Sequence, residues 1–220
     1  MTTRLLMSAG LAVLLAACAD PLGTPPPEPE LGTDASTAEP VDQFLARLAS
    51  HCGQAFEGQI IANTPPLDND PFIGERLVMH VRECSPEEVR VPFHVGDDHS
   101  RTWILTRTDG GLRLKHDHRK PDGSDDAVTM YGGETTSPGT PERQAFPVGE
   151  FSIELFQRED LPASVTNVWA MEIEPGQRFL YELAREAEGR LFQVEFDLTT
   201  PVAIPPTPWG HPPLPGDGDR

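Results

Sequence analysis

The densest cluster of candidate ligand groups is the run Leu112-Arg113-Leu114-Lys115-His116-Asp117-His118-Arg119-Lys120-Pro121-Asp122-Gly123-Ser124-Asp125-Asp126. On a strand, His116 and His118 share the face of Leu112 and Leu114, so two imidazoles point together into a core or a lumen while Asp117 points the other way. A His-x-His pair is half of a zinc site. Completing it needs at least one more ligand held in orientation, and His80, His94 and His99 are the histidines available. Asp122 and Asp125 add carboxylate oxygens that suit a divalent cation, without the alternating ligands and closing Glu of an EF-hand. Three readings stay open. One is a divalent metal at His116, His118, Asp122 and Asp125; another is a polar contact from a lumen wall to a ligand. The third is a solvated hairpin turn whose histidines bond neighbouring backbone.

The same run lacks the longer His-x-His-x-Asp-His pattern of metallo-β-lactamase-type hydrolases, because Lys120 and Pro121 stand where the last Asp and His fall. Nucleophilic catalysis has no support either, since the chain has no Gly-x-Ser-x-Gly elbow and no Ser-x-x-Lys. Other polar residues interrupt apolar strands: His80 and Arg82 beside Met79 and Val81, His94 beside Phe93, Arg101 beside Trp103, Asn167 beside Trp169. If their faces look inward, His80, Arg82, His94, Arg101, Asn167 and Trp169 line a site for an anionic or amphipathic small molecule. Arg82 and Arg101 are the candidates for functional positive charge. No catalytic residue is assigned.

The elements that must position these side chains follow from periodicity. Val41, Phe44, Leu45, Leu48 and Cys52 recur at three and four, which predicts a short helix with Asp42 in its first turn. The period then changes to two in stretches 55–62, 76–82, 89–95, 102–108, 112–118, 128–131, 165–173, 179–184 and 191–198, which predicts eight or nine strands. Residues 146–161 suit a helix through Phe151, Leu155 and Glu159, or a strand through Phe151, Ile153 and Leu155. Short links such as Asp109-Gly110-Gly111 and Glu188-Gly189 join antiparallel neighbours, and no βαβ rhythm appears. Strands in that number must close or stack to hide their edges. The predicted fold is therefore mainly β, an antiparallel up-and-down barrel with a short N-terminal helix, with a two-sheet sandwich as the alternative.

A short helix, a first strand with an aromatic and a glycine in Gly53-Gln54-Ala55-Phe56-Glu57-Gly58, and a run of hairpins together resemble the lipocalin or calycin group. That group's first strand usually carries Gly-x-Trp, whereas Phe56 here stands three places after Gly53. The resemblance covers residues 41–200 and implies a barrel that binds small apolar or amphipathic ligands inside.

Upstream, Arg4 precedes an apolar run from Leu5 to Leu15 that ends in Leu15-Ala16-Ala17-Cys18. A positive start, an apolar core of about ten residues and a small-residue cleavage site describe an export signal too short to span a bilayer. The segment resembles a bacterial lipoprotein lipobox, which implies cleavage after residue 17, lipidation of Cys18 and membrane anchoring by acyl chains. In that class Asp directly after the cysteine favours the inner membrane; Ala19 stands there, so the expected site is the outer membrane, facing the periplasm or the cell surface. Residues 18–40 then read as a Pro/Glu-rich tether. Residues 41–200 form one domain and 201–220 a proline-rich tail in which Pro205-Pro206-Thr207-Pro208-Trp209 lies across the domain or docks on a partner.

The chain has 17 Lys and Arg against 35 Asp and Glu, a formal net charge of −18. Such acidity makes nucleic acid and anionic lipid surfaces poor partners. With Cys18 lipidated, Cys52 and Cys84 remain as an even pair in an oxidising compartment and are expected to form a disulfide. Its loop of about 33 residues gives roughly 3 to 4 kcal/mol on the chain-entropy model.

Overall fold

Helix α1 (Pro40–Ala49) starts on a proline, whose fixed φ suits a first helical turn, and carries Asp42 near its start and Arg47 near its end, each favourable to the helix dipole. Its buried face is Val41, Phe44, Leu45 and Leu48. The computed structural model to which it belongs describes residues 38–67 and 70–214; the export signal, Cys18, nearly all of the tether and the last six residues lie outside the described residues.

Eleven strands follow: β1 (Ala55–Thr64), β2 (Leu77–His80), β3 (Glu83–Cys84), β4 (Glu88–Val95), β5 (Asp98–Thr108), β6 (Gly111–His118), β7 (Tyr131–Glu134), β8 (Arg143–Pro147), β9 (Val168–Glu174), β10 (Arg178–Arg185) and β11 (Arg190–Asp197). They form one sheet in the order β7-β6-β5-β4-β2-β1-β11-β10-β9-β8, with β3 paired only to β4, and every ladder is antiparallel. Apart from β1 against β11, and β2 against β4 across the two-residue β3, neighbours in the ring are neighbours in the chain. This is the up-and-down barrel that the alternation and short links imply, nearly closed, with the sandwich alternative set aside. Helix α1 packs against β4, β5, β8 and β9 and fills one end of it. Asp42 meets Arg107 at 2.5 Å and Arg47 meets Glu142 at 2.5 Å, which ties the plug to the rim. The disulfide Cys52–Cys84 links the chain just after α1 to β3, with Cα atoms 6.2 Å apart.

Alternation sorts the side chains. Trp103, Phe93, Phe179, Phe196, Phe56 and Phe146 fill the interior, with Trp103 stacked on Tyr181 at 4.5 Å and on Phe93 at 4.9 Å. The outer face of β8 to β11 carries ion pairs: Arg143 reaches Glu172 at 2.5 Å and Glu182 at 2.7 Å, and Arg178 reaches Glu172 at 2.7 Å.

Several boundaries differ from the sequence expectation. The stretch 128–131 becomes strand only at Tyr131, because Met130 adopts φ 57° and ends the extended run. Strand β9 begins at Val168, after a 3-10 turn at Pro162–Thr166. The ambiguous 146–161 segment divides at Gly149 into the end of β8 and helix α2 (Glu150–Arg158), which buries Ser152, Leu155 and Phe156 and leaves Phe151 exposed under Lys115. The proline-rich segment after β11 lies on the barrel: Val202 bridges to Ala55, the Trp209 N–H donates to the His99 carbonyl at 3.0 Å, and Arg82 donates to the Pro212 carbonyl at 2.5 Å.

Closure happens at a seam between β7 and β8, where Gly133 bridges to Val148. A Cβ on Gly133 would lie 1.7 Å from the Pro147 carbonyl oxygen, and one on Gly132 (φ 152°) would lie 1.9 Å from that of Leu114. The Ser152 hydroxyl then takes both backbone groups of Gly132, accepting from its N–H and donating to its carbonyl, each at 2.8 Å, so α2 locks the seam. Replacing Gly133 with Ala is expected to destabilise the protein by about 2 kcal/mol or more in urea unfolding, whereas Gly110→Ala, in open space, stays within about 0.5 kcal/mol.

Candidate functional site

Opposite the plugged end, the barrel opens into a cavity of about 810 Å³. Its wall is assembled from one inward residue after another: His118 on β6, Tyr131 on β7, Trp169 on β9, Tyr181 and Leu183 on β10, Phe192 on β11 and Phe156 on α2. The loop between β1 and β2 adds Phe72, and Trp209 from the C-terminal segment reaches the rim.

Polar groups inside this wall are held by one another. The His116 ring stacks on Tyr131 at 4.6 Å and an 11° interplanar angle, with Nδ1 3.3 Å from the Tyr131 carbonyl oxygen and Nε2 2.9 Å from the Tyr181 hydroxyl. A carbonyl can only accept, so Nδ1 carries the proton; Nε2 of the neutral ring is then an acceptor, and Tyr181 donates to it. His118 Nε2 lies 3.1 Å from the Tyr131 hydroxyl. Burial takes the His116 imidazole down to about 3, with His118 adding to the effect, and takes His118 down to about 4, with Arg101 adding. Burial likewise pushes the Tyr131 phenol up to about 12 and Tyr181 well above its ordinary value. At neutral pH the wall is thus two neutral imidazoles and two protonated phenols. It can recognise a molecule by hydrogen bonding and stacking, and it holds no base or acid poised near pH 7.

The rim is charged. Arg101 meets Asp98 at 2.5 Å and sits over the Phe72 ring at 5.3 Å; Arg119 meets Asp117 at 2.7 Å and Asp125 at 2.5 Å. Arg185, Arg190, Lys120, Asp70 and Asp126 also line it. Asn167, only 5% exposed, lines the cavity with a buried Oδ1 that has no hydrogen-bond partner among the described residues.

Of the residues singled out from sequence, Arg101, Asn167, Trp169 and His118 meet at this cavity, with His116 behind the wall. His80, Arg82 and His94 do not line it. Met79 and Val81 take the interior positions of that segment and Phe93 and Val95 those of β4, so the alternate residues face outward, where the C-terminal segment covers them. There His94 Nδ1 lies 2.9 Å from His99 Nδ1, and burial takes His94 down to about 3. Asp117 also faces outward and is buried: burial alone would raise its carboxyl, but hydrogen bonds from His211 and Arg119 outweigh that and hold it at about 2. In the turn after β6, Asp122 accepts from Ser124 and Asp125 pairs with Arg119. Among the described residues no group of three or more His, Cys, Asp or Glu is placed to hold a metal ion.

Tyr131, Tyr181, Phe72, Phe156, Arg185 and Arg190 belong to the site and escaped sequence reasoning. Tyr181 was in reach, because it alternates with Phe179 on an apolar strand face. Phe72 comes from a loop with no periodicity at all.

No protein-family model matches this sequence, and no curated protein matches it. Among solved structures it aligns with a redesigned β-barrel at 12% identity and a TM-score of 0.29, over 69% of this chain and 94% of that one.

The buried histidines give stability a definite pH dependence. His94, His116 and His118 titrate lower when folded than the ordinary 6.5, so their contribution is complete above pH 6.5 and is lost as pH falls toward 3 to 4. At pH 5 each is expected to have lost about 2 kcal/mol relative to neutral pH, an upper value. Urea midpoints measured at pH 7.5 and pH 5 should fall clearly; an unchanged midpoint contradicts neutral buried imidazoles.

Proposed function

We propose that this protein is a lipid-anchored envelope protein whose barrel holds a small apolar or amphipathic molecule in the cavity at its open end. The cavity carries the reading. Barrel interiors of this width are commonly filled by side chains, yet here α1 and the aromatic core fill one end and the middle, and the other end keeps about 810 Å³ walled by Trp169, Tyr131, Tyr181 and Phe156. That volume lies inside the range of roughly 300 to 1,000 Å³ typical of small-molecule sites. Neutral His and Tyr hydrogen-bonding groups among aromatic faces suit a ligand with a flat or aliphatic body and a few polar atoms. The resemblance to the lipocalin group supports the same use of the barrel.

Anchoring is supported by Leu15-Ala16-Ala17-Cys18 and by the Pro/Glu-rich stretch that follows it. The ion-paired outer face of β8 to β11 suits a barrel carried in water on a tether, since spanning barrels turn apolar side chains outward. With Ala19 after the cysteine, the outer membrane is the proposed site.

Two measurements test these readings. N-phenyl-1-naphthylamine, an uncharged aromatic dye, should brighten on binding the full chain carrying Cys18→Ser, and Leu183→Trp, which fills the cavity mouth, should weaken that binding about tenfold or more. Absence of binding, or binding unaffected by Leu183→Trp, rejects the cavity. In cells fed labelled palmitate the native chain should incorporate label and fractionate with membranes, and Cys18→Ser should abolish both.

A further inference from the structure

Arg185 and Arg190 are direct partners across the β10–β11 ladder. The alternation that turns Tyr181 and Leu183 inward on β10, and Phe192 inward on β11, turns both arginines toward the cavity they help to line. Like charges directly opposite in an antiparallel pair oppose folding. The arrangement is conspicuous in a chain with 35 acids, because the other rim arginines are neutralised: Arg101 by Asp98, Arg119 by Asp117 and Asp125.

Neither member of the pair forms a salt bridge among the described residues. Arg190 is 6% exposed, donates to Asn63 Oδ1 at 2.6 Å and to the Pro65 carbonyl at 2.9 Å, and lies over the Phe192 ring at 5.5 Å. All of these partners are uncharged. The carboxylate that faces it, Asp70, is occupied by the Asn63 amide at 2.9 Å and the Phe72 N–H at 3.0 Å. Arg185 Nε is buried without an acceptor, and Glu188 in the connecting turn accepts from Thr166. A buried donor without an acceptor is rare in folded proteins and points to a missing partner.

We propose that the Arg185–Arg190 pair is an anion receptor for the oxyanion head of an amphiphile, a carboxylate, sulfonate or phosphate, whose apolar body fills the cavity below. The proposal rests on the binding function given above and names the chemical class of the ligand. Guanidinium forks match planar oxyanions with paired N–H donors, and an anion between two of them removes their repulsion. A chain of this net charge repels anions over most of its surface, so capture requires such a local pair. Asn167 Oδ1, buried and unpartnered, offers an acceptor to an O–H or N–H on the ligand body.

Two dyes with one aromatic body test this. 8-Anilinonaphthalene-1-sulfonate adds a sulfonate to the body of N-phenyl-1-naphthylamine. On the full chain carrying Cys18→Ser, the sulfonate dye should bind about tenfold tighter or more than the neutral dye, and Arg185→Gln/Arg190→Gln should bring the ratio of the two affinities to about one. Should the double variant fail to fold, Arg185→Gln alone, at the more exposed position, should remove about threefold of the preference or more. Equal affinities for the two dyes, or a preference that survives Arg185→Gln, overturn the proposal. Failure of the neutral dye to bind overturns the cavity itself, and so is distinguishable. Displacement of the sulfonate dye by dodecanoate or dodecyl phosphate, and not by dodecanol, supports the receptor and tells a carboxylate head from a phosphate; equal displacement by dodecanol overturns it.

Discussion

A sheet of antiparallel strands leaves two edges, and removing them is the constraint on which the rest of this structure depends. The ring of β1, β2 and β4 to β11 leaves its final gap between β7 and β8, where the backbones approach too closely for any side chain at Gly133. The pairing there is thin, and α2 makes up for it by giving the Ser152 hydroxyl to both polar groups of Gly132. Phe156, on the same helix, joins the cavity wall beside Tyr131. One short helix therefore both closes the sheet and shapes the cavity.

Desolvation governs the chemistry of that cavity. An imidazole or phenol in an apolar interior keeps its neutral form, and His116, His118, Tyr131 and Tyr181 satisfy each other's donors and acceptors without any charge. The arginines at the rim obey the same physics with the opposite result, because a guanidinium does not give up its proton. Arg101 and Arg119 are neutralised by neighbouring acids; Arg190 donates to the uncharged Asn63 Oδ1 and Pro65 carbonyl, and Arg185 Nε is buried without an acceptor.

Much of the barrel was legible because its physics is local. Alternation at Val89 to Val95 and Leu112 to His118 reports one buried face, and the short links at Asp109 and Glu188 report antiparallel neighbours. Strand β8 was not legible: Arg143-Gln144-Ala145-Phe146-Pro147 has one large apolar residue, and its pairing is decided by Val168 to Glu172 on a distant strand. Alternation also could not say which face is inner. His80 and His94 resembled Arg101 and Asn167 in sequence, but the first two flank Met79 and Phe93, which hold the interior, whereas Arg101 and Asn167 share the parity of Trp103 and Trp169. The site depends further on Phe72, from a loop, and on Arg190, the first residue of β11, which only tertiary structure brings to the rim.

The pairing of β1 with β11 has a consequence for how the chain is made. Every other rung of the ring joins strands that are consecutive in the chain or, for β2 and β4, separated only by the short β3, so they can pair locally with little loop-closure entropy. Strand β1 is synthesised early and β11 almost last. Through most of synthesis β1 therefore presents an open edge, with Ile60 and Ile61 on it, which is a template for association with a neighbouring nascent chain. Truncation anywhere before β11 would leave that edge permanently unpaired, so quality control of this protein depends on its final strand.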